Sequence, residues 1–290
     1  IVRRVLMAKV KSTVHGAISL VNAIATQKGA TLGIALKVEA TIETSPGRGI
    51  ILQSENKSLS SRLINKTVEK IVSKKDLEQN KITIILDSEI PTGYGLKSSS
   101  AISSAVSLAC AKIFKPKFTD QQILLAGVDA SIESKVSITG AYDDACSCYY
   151  GGFNITDNAK KKRVHFEKGP TNLVAVIFIP KNRKRGNLNN LKVLSSVFET
   201  AWEQAKKTNY WEAMTINGLA TTSLLNSDPK IITNLIEKGA LGASVSGNGP
   251  AIAAVTKKEN EANVKKVFST LEGNVIVSKV SNKKAEVHEM

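Results

Sequence analysis

The residues at positions 91–101, PTGYGLKSSSA, combine a proline, two glycines and three consecutive serines. They follow an apolar run at 82–86 that predicts a buried strand, and they lead into small and apolar residues at 101–110 that predict a helix. Glycine lets a backbone turn sharply and approach a ligand closely. The N-terminus of a helix adds free N–H groups and a positive dipole. This strand, loop and helix therefore predict a polyphosphate site, although the spacing matches neither the P-loop nor the dinucleotide-binding pattern.

A second stretch offers carboxylates on both sides of a turn. Glu133 precedes Gly140, and Asp143 and Asp144 follow it in a predicted short helix that ends at Gly151. Phosphoryl transfer to a hydroxyl requires one carboxylate near the attacking oxygen and another that holds magnesium on the phosphates. Adjacent helical residues diverge by about 100°. One aspartate can therefore face the phosphate, while the other contacts the acceptor or caps the helix.

A third stretch, SGNGP at 246–250, places two glycines between two predicted short strands. By itself this pattern is compatible with a simple hairpin.

Together the three stretches resemble the GHMP kinases, whose phosphate loop typically reads PxxxGLGSSA. Lys97 stands where that family has a glycine. In the mevalonate-kinase pattern, an acidic magnesium ligand lies eleven residues before the catalytic aspartate, and six residues separate that aspartate from a Gly-Gly pair. The same two spacings here select Glu133, Asp144 and the pair at 151–152.

The resemblance implies ATP and Mg²⁺ as cofactors and assigns roles to individual residues. Asp144 would orient or deprotonate the acceptor hydroxyl, and Lys9, which matches the family's early lysine, would stabilise the charge on Asp144. Magnesium would be held by Ser99 and Glu133. Substrate contacts are expected from Asp143, Asn22, Gly247, Asn248 and Gly249. The polyphosphate is expected to lie against Pro91, Gly93, Gly95, Leu96, Lys97, Ser98, Ser99, Ser100 and Ala101.

Three segments resemble the archaeal type of shikimate kinase within this family: GLKSSSA at 95–101, NAIAT at 22–26 and GAYDDA at 140–145. This resemblance implies phosphorylation of shikimate to shikimate 3-phosphate, a step of aromatic amino-acid biosynthesis. Residue chemistry alone leaves homoserine and mevalonate open, because each of the three acceptors carries a carboxylate and a hydroxyl.

An RNA-binding protein is the alternative from a different class. The net charge is +15, and the first GHMP domain shares its fold with ribosomal proteins. However, the lysines are scattered, and no aromatic residues interleave with the basic clusters at 160–163 and 181–185 as a stacking platform requires. Carboxylates at 133 and 144 would also repel phosphate without a metal. We therefore expect a small-molecule substrate and no specific nucleic-acid partner.

The length of 290 residues and the 42% hydrophobic content allow one large domain or two of ordinary size. The predicted elements lack the regular strand–helix alternation of a doubly wound sheet, so we predict an α+β fold. A boundary near residues 169 and 170 would give units at 1–169 and 170–290. The resemblance implies a ribosomal-protein-like first unit and a ferredoxin-like second unit. The sequence leaves open whether the protein is a monomer or a homodimer.

The sequence also predicts individual strands and helices and the state of the three cysteines. Residues 3–11 are expected to form a strand, 16–25 a helix, and 119–134 a helix capped by Thr119. No apolar run approaches the roughly 20 residues of a membrane span. Three cysteines fit neither a disulfide framework nor a zinc site, so we expect buried free thiols and a cytoplasmic protein. These cysteines are Cys110, Cys146 and Cys148.

Overall fold

The computed structural model describes residues 7–55, 59–137, 140–184, 186–225 and 227–290. The strands in these residues are β1 (Lys9–Val21), β2 (Lys28–Pro46), β3 (Gly49–Ser54), β4 (Asn80–Ser88), β5 (Phe153–Asp157), β6 (Lys162–Glu167), β7 (Leu173–Pro180), β8 (Ala240–Val245), β9 (Ile252–Lys257), β10 (Gly273–Lys279) and β11 (Glu286–Glu289).

The α-helices of the same residues are α1 (Ser61–Ile71), α2 (Lys74–Gln79), α3 (Ser98–Phe114), α4 (Asp120–Glu133), α5 (Tyr142–Tyr150), α6 (Ser195–Lys206), α7 (Tyr210–Leu224), α8 (Lys230–Glu237) and α9 (Glu261–Val267). Short 3₁₀ turns lie at Leu188–Leu194 and Lys258–Asn260. Thr119 caps α4 in a capping box with Gln122, which confirms the predicted start of that helix. None of these helices has the length and apolar content that crossing a membrane requires.

The strands form two sheets in the part of the chain that the structure describes. In the first, the order is β11-β1-β2-β4-β3, while β5 pairs with the other part of β2 and β6 extends it. Its pairings are antiparallel except for the parallel pair β3 and β4. The second sheet is antiparallel, with the order β10-β7-β9-β8. Helices cover both sheets, so the α+β prediction is confirmed.

The predicted helix at 16–25 is wrong, because β1 continues to Val21 and pairs with β2 as far as Ala30. Residues 14–23 are buried without alternation. Helices α5 and α7 both pack against β1. A strand covered on two sides loses the polar–apolar alternation that distinguishes it from a buried helix. Of the strand predicted at 3–11, residues 3–6 lie outside the described residues.

The first sheet also contains a strand that the sequence did not predict. At the far end of the chain, β11 returns to pair with β1, with Val10 opposite Glu289. The predicted boundary near residue 169 falls between β6 and β7, and the division into 1–169 and 170–290 remains a prediction.

The strand β7 joins the two halves of the hydrophobic interior. Ala175 and Ile177 belong to the large core shared with the first sheet, whereas Val176 and Phe178 belong to a second core under the later helices. Successive strand residues point to opposite faces, so one strand can bury both. An apolar contact of this kind fixes the relative position of the two sheets, and with it the site between them.

All three cysteines are buried free thiols, as expected from the sequence. Burial raises the pKa of the Cys146 thiol to about 12 and raises the pKa values of Cys110 and Cys148 as well. The three thiols are therefore protonated at neutral pH and contribute as small apolar side chains.

Phe153→Ala tests the contact between the first sheet and α7. The Phe153 ring, on β5, stacks on the Tyr210 ring of α7 with centroids 3.8 Å apart and planes 10° apart. We expect the free energy of unfolding to fall by about 3–5 kcal/mol, as for other buried phenylalanines. Urea denaturation measures the loss. Phe166→Ala is the control, because Phe166 is 41% exposed on β6, and equal losses in both variants would contradict a packed interface at Phe153.

Candidate active site

A cavity of about 390 Å³ lies between the two sheets. Its walls are the phosphate loop at 91–98, the start of α5, the end of β1 and the turn between β8 and β9. The volume falls within the range of small-molecule sites. Predicted site residues that line it are Asn22, Gly93, Gly95, Leu96, Lys97, Ser98, Ser99, Ser100, Asp143, Asp144, Gly247 and Asn248. The predicted site residues that do not line the cavity are Lys9, Pro91, Ala101, Glu133 and Gly249.

The phosphate loop has the left-handed backbone that its glycines predict. Both Gly93 and Gly95 have φ 84°, and Lys97, the N-cap residue directly before α3, has φ 67° and ψ 21°. Lys97 therefore adopts a positive φ, a conformation that glycine takes at little cost and other residues rarely take. No side chain caps α3, so the N–H groups of its first turn remain available to an anion in the cavity.

The ammonium of Lys97 pairs with Asp144 inside this site. Its Nζ lies 2.7 Å from Oδ1 of Asp144, and the two side chains are 3% and 18% exposed. Lys97 also donates a hydrogen bond to Oγ of Ser19 at 2.8 Å. Burial raises the pKa of Asp144 to about 7, although Lys97 opposes this effect. Among the described residues that line the cavity, Lys97 is the one basic side chain.

The predicted pairing of Lys9 with Asp144 is not what the structure shows. Lys9 lies at the start of β1, where its Nζ is 2.8 Å from Oε1 of Glu43 and 47% of the side chain is exposed. Ser19, the partner of Lys97, is ten residues further along the same strand. At about 3.3 Å per residue, this separation is roughly 30 Å. The lysine that reaches Asp144 is therefore Lys97.

Asp143 is buried beside the site and holds the start of α5 in place through hydrogen bonds to Asn158. Oδ1 accepts a hydrogen bond of 2.7 Å from Nδ2 of Asn158, whose Oδ1 accepts one of 3.1 Å from the Asp143 backbone N–H. A Cβ atom on Gly29 would lie 2.3 Å from Oδ2 of Asp143, so a glycine is needed there. Asp143 also lines the cavity, and its contact with the acceptor remains a prediction.

Glu133 does not face the cavity, contrary to its expected place beside Ser99. Its carboxylate is 47% exposed and forms an ion pair with Lys70 of α1. In the described parts of the chain, no group of three or more His, Cys, Asp or Glu side chains could hold a metal ion. Magnesium usually takes one or two protein ligands together with substrate phosphates and water. The Ser99 hydroxyl, which lines the cavity, fits this role, and Glu133 as placed does not.

The turn between β8 and β9 docks against the phosphate loop. Oγ of Ser246 donates to the Gly95 carbonyl at 2.9 Å, and the Gly247 N–H donates to Oγ of Ser19 at 2.9 Å. A Cβ atom on Gly95 would lie 1.9 Å from the Ser246 carbonyl oxygen. The predicted glycine turn is thus a support of the phosphate loop.

Asn22 ties the same turn to the end of β1. Nδ2 donates to the Gly247 carbonyl at 2.7 Å, and Oδ1 accepts from the Ile24 N–H at 2.8 Å. Asn22 is 2% exposed, and its role in substrate binding remains a prediction. Asn248 is exposed at the cavity. Reasoning from sequence gave no role to Ser19, which belongs to no motif, or to Ser246, which lies in the third stretch but was not singled out. Their contacts with each other and with the phosphate loop follow from the packing of β1 against the turn between β8 and β9.

Comparison of Gly95→Ala with Gly93→Ala tests this docking. Both glycines have φ 84°, so each alanine carries the same left-handed backbone cost of about 1–2 kcal/mol. The nearest atom to a Cβ on Gly93 is 3.6 Å away, on Arg183. We expect Gly95→Ala to lose about 1–3 kcal/mol more in denaturant unfolding, because its methyl group meets backbone. Equal losses would contradict the close contact with Ser246.

Two family models match this sequence. The model of the GHMP kinases N terminal domain matches residues 62–152, which include the phosphate loop and α5. The model of the GHMP kinases C terminal matches residues 212–271, which include the turn between β8 and β9.

Curated relatives match over nearly the whole chain. The shikimate kinase of Methanothermobacter thermautotrophicus is 31% identical over 98% of this chain and all of its own length. The shikimate kinase of Methanosarcina acetivorans is 35% identical over 93% of each chain.

Solved structures share the fold at lower identity. Homoserine kinase from Cytophaga hutchinsonii superposes with a TM-score of 0.75 and 18% identity, covering 99% of this chain and all of the other. Mevalonate kinase of Methanococcus jannaschii superposes with a TM-score of 0.71 and 18% sequence identity, covering 97% of this chain and all of the other. The family models and the full-length relatives lead to one conclusion: this chain belongs to the GHMP kinase family and is a small-molecule kinase.

Proposed function

We propose that this protein transfers the γ-phosphoryl group of ATP to shikimate, forming shikimate 3-phosphate and ADP. Two kinds of observation support the proposal. The full-length relatives named shikimate kinase are 31–35% identical to the chain. In addition, one cavity contains both an uncapped helix N-terminus behind a glycine loop and a partly buried aspartate, Asp144, which are the parts that phosphoryl transfer to a hydroxyl requires.

The polyphosphate would lie on the phosphate loop. The N–H groups at 98–100 begin α3, and the positive end of the helix dipole favours a negative ligand there. Gly93 and Gly95 leave the loop backbone free of side chains that would keep phosphate oxygens away. Magnesium would accompany ATP and neutralise charge between the phosphates, with the Ser99 hydroxyl as the ligand that this chain supplies.

Asp144 would act on the acceptor hydroxyl. The attacking oxygen forms a bond to the γ-phosphorus as the bond from that phosphorus to the β,γ-bridging oxygen breaks, and ADP leaves with the bond's electrons. Asp144 accepts the hydroxyl proton. Its raised pKa, close to 7, suits a general base at neutral pH. Asp143, turned towards Asn158 and Gly29, is placed to keep the first turn of α5 in position.

Recognition of the acceptor carboxylate requires a positive charge that Asp144 does not already neutralise. Lys97 is paired with Asp144. Arg183, in the segment after β7, is exposed beside the cavity and is not one of its lining residues. Its guanidinium lies 5.0 Å from the centre of the Tyr94 ring and close to Gly93, which does line the cavity. It has no carboxylate partner among the residues that the structure describes. A guanidinium can bind a carboxylate through two parallel hydrogen bonds, so we assign the carboxylate of shikimate to Arg183.

The direct test of this function is an acceptor screen. Purified protein with Mg-ATP is given shikimate, homoserine or mevalonate, ADP release is followed in a coupled assay, and products are identified by mass and ³¹P NMR. We expect shikimate to have a kcat/KM at least about a hundredfold above the others, since pocket hydrogen bonds discriminate by such factors. Preference for homoserine or mevalonate would overturn the substrate assignment and leave a GHMP kinase.

Asp144→Asn is expected to lower kcat by about two to four orders of magnitude, the range for loss of a general base. The KM for ATP should change little, because Asp144 contacts Lys97 and not the phosphate loop backbone. In the native protein, kcat should rise with pH through about 7 as the Asp144 carboxyl loses its proton. Asp129→Asn is the control, because it breaks a surface ion pair with Lys161. Full activity of Asp144→Asn would remove the aspartate from the reaction.

Arg183→Met is expected to raise the KM for shikimate by about 10- to 100-fold, as for one charge-assisted contact of roughly 1.5–3 kcal/mol. The kcat should stay within about threefold, since the carboxylate binds alike in the ground and transition states. Lys181→Met removes an exposed charge from the same segment and serves as the control. If ATP KM rises instead, Arg183 contacts the nucleotide and the carboxylate assignment is wrong.

A further inference from the structure

Lys97 combines two features that are each unfavourable for an ordinary lysine. Its backbone is left-handed, with φ 67°, a region that non-glycine residues rarely occupy. Its side chain is 3% exposed, although an ammonium loses its hydration when buried. Strained and buried groups persist where the surrounding structure fixes them, and they concentrate at functional sites.

The surroundings hold the ammonium from three directions. Nζ lies 2.7 Å from Asp144 on α5 and donates to Ser19 on β1 at 2.8 Å. On the side of the second sheet, the position that a Cβ on Gly247 would occupy lies 2.8 Å from Nζ. The Gly247 N–H also donates to Ser19. Ser19 thus accepts from both Lys97 and Gly247, and the ammonium is confined between α5, β1 and the turn before β9.

We propose that Lys97 is a positioning residue that holds the Asp144 carboxylate in the orientation that accepts the acceptor's proton. This inference rests on the proposed function of the site. Because Lys97 is also the N-cap residue of α3, the same backbone position sets the direction of the N–H groups at the start of that helix and the place of the base. The distance between the phosphoryl group and the base is then fixed by one residue.

The charges around Asp144 support this role. The charged groups that influence Asp144 are Lys97 from the phosphate loop and Asp143 from its own helix, while Ser19 on β1 is uncharged. Asp144 in turn raises the pKa of the buried Cys148 thiol on the same helix. Burial and Asp143 raise the pKa of Asp144, and Lys97 lowers it. Loss of the ammonium would therefore leave a buried carboxylate that retains its proton at neutral pH and cannot accept another.

The experiment compares two variants of the full-length protein. Lys97→Met keeps the bulk and the non-glycine backbone and removes the charge. Lys97→Gly also removes the charge, but suits the left-handed backbone and leaves a space the size of the side chain. At pH 7 we expect kcat to fall by about a hundredfold or more in both, with ATP KM within about threefold. The acid limb of kcat against pH should move to higher pH, so that the loss shrinks towards pH 9.

Added n-butylammonium should restore part of the kcat of Lys97→Gly, because it can occupy the vacated space, and should not restore Lys97→Met. Lys161→Met and Lys161→Gly are the matched controls. Lys161 also has a left-handed backbone, with φ 48°, and pairs with Asp129 at the surface. Neither control should change kcat, the pH profile or the response to the amine.

A readout without substrate separates this inference from the proposed function. In ¹³C NMR of the unliganded protein, the pKa of Asp144 should be higher in Lys97→Met than in the native chain, whichever acceptor the enzyme uses. An unchanged Asp144 titration, an unchanged acid limb or the absence of amine rescue would overturn the positioning role. A rise confined to ATP KM would also overturn it, and would assign Lys97 to the phosphates.

Discussion

The close approach of two backbones at Gly95 is the constraint on which the site depends. The Ser246 carbonyl lies where any side chain on residue 95 would have to begin. This contact brings the turn of the second sheet onto the phosphate loop, and the hydrogen bonds from Ser246 and Gly247 maintain it. The cavity therefore has walls from both sheets, and neither half of the chain could form it alone.

Most of the positive charge of the chain lies outside the described lining of the cavity. The net charge is +15, yet the described lining of the cavity contains one basic side chain, and Asp144 neutralises it. The field of the whole surface therefore attracts anions at long range. Under the proposed function, the backbone N–H groups of α3 and the helix dipole would hold the phosphates, and Arg183 would hold the acceptor carboxylate. This division leaves Lys97 available to organise the base.

The apolar interior gives the site its rigidity. One face of β7 belongs to the large core that the two sheets share, and its other face belongs to the second core under the later helices. Phe153 and Tyr210 stack across the contact between the first sheet and α7. A packed core resists small displacements, so the ion pair and the phosphate loop can keep separations of a few ångströms although their residues come from distant parts of the sequence.

The sequence by itself determined the local parts of this protein. The choice of Asp144 over Asp143 came from spacings that this chain shares with the GHMP kinases, and it remains a prediction. Gly93 and Gly95 marked the turns of the phosphate loop, and Thr119 marked the start of α4. These features follow from backbone conformations and short-range periods, which neighbouring residues decide. The tertiary structure decided which residues from distant parts of the sequence come into contact. It placed Lys97 instead of Lys9 at Asp144 and paired Glu133 with Lys70. It also continued β1 through the predicted helix at 16–25, because burial on two sides removes the alternation that identifies a strand.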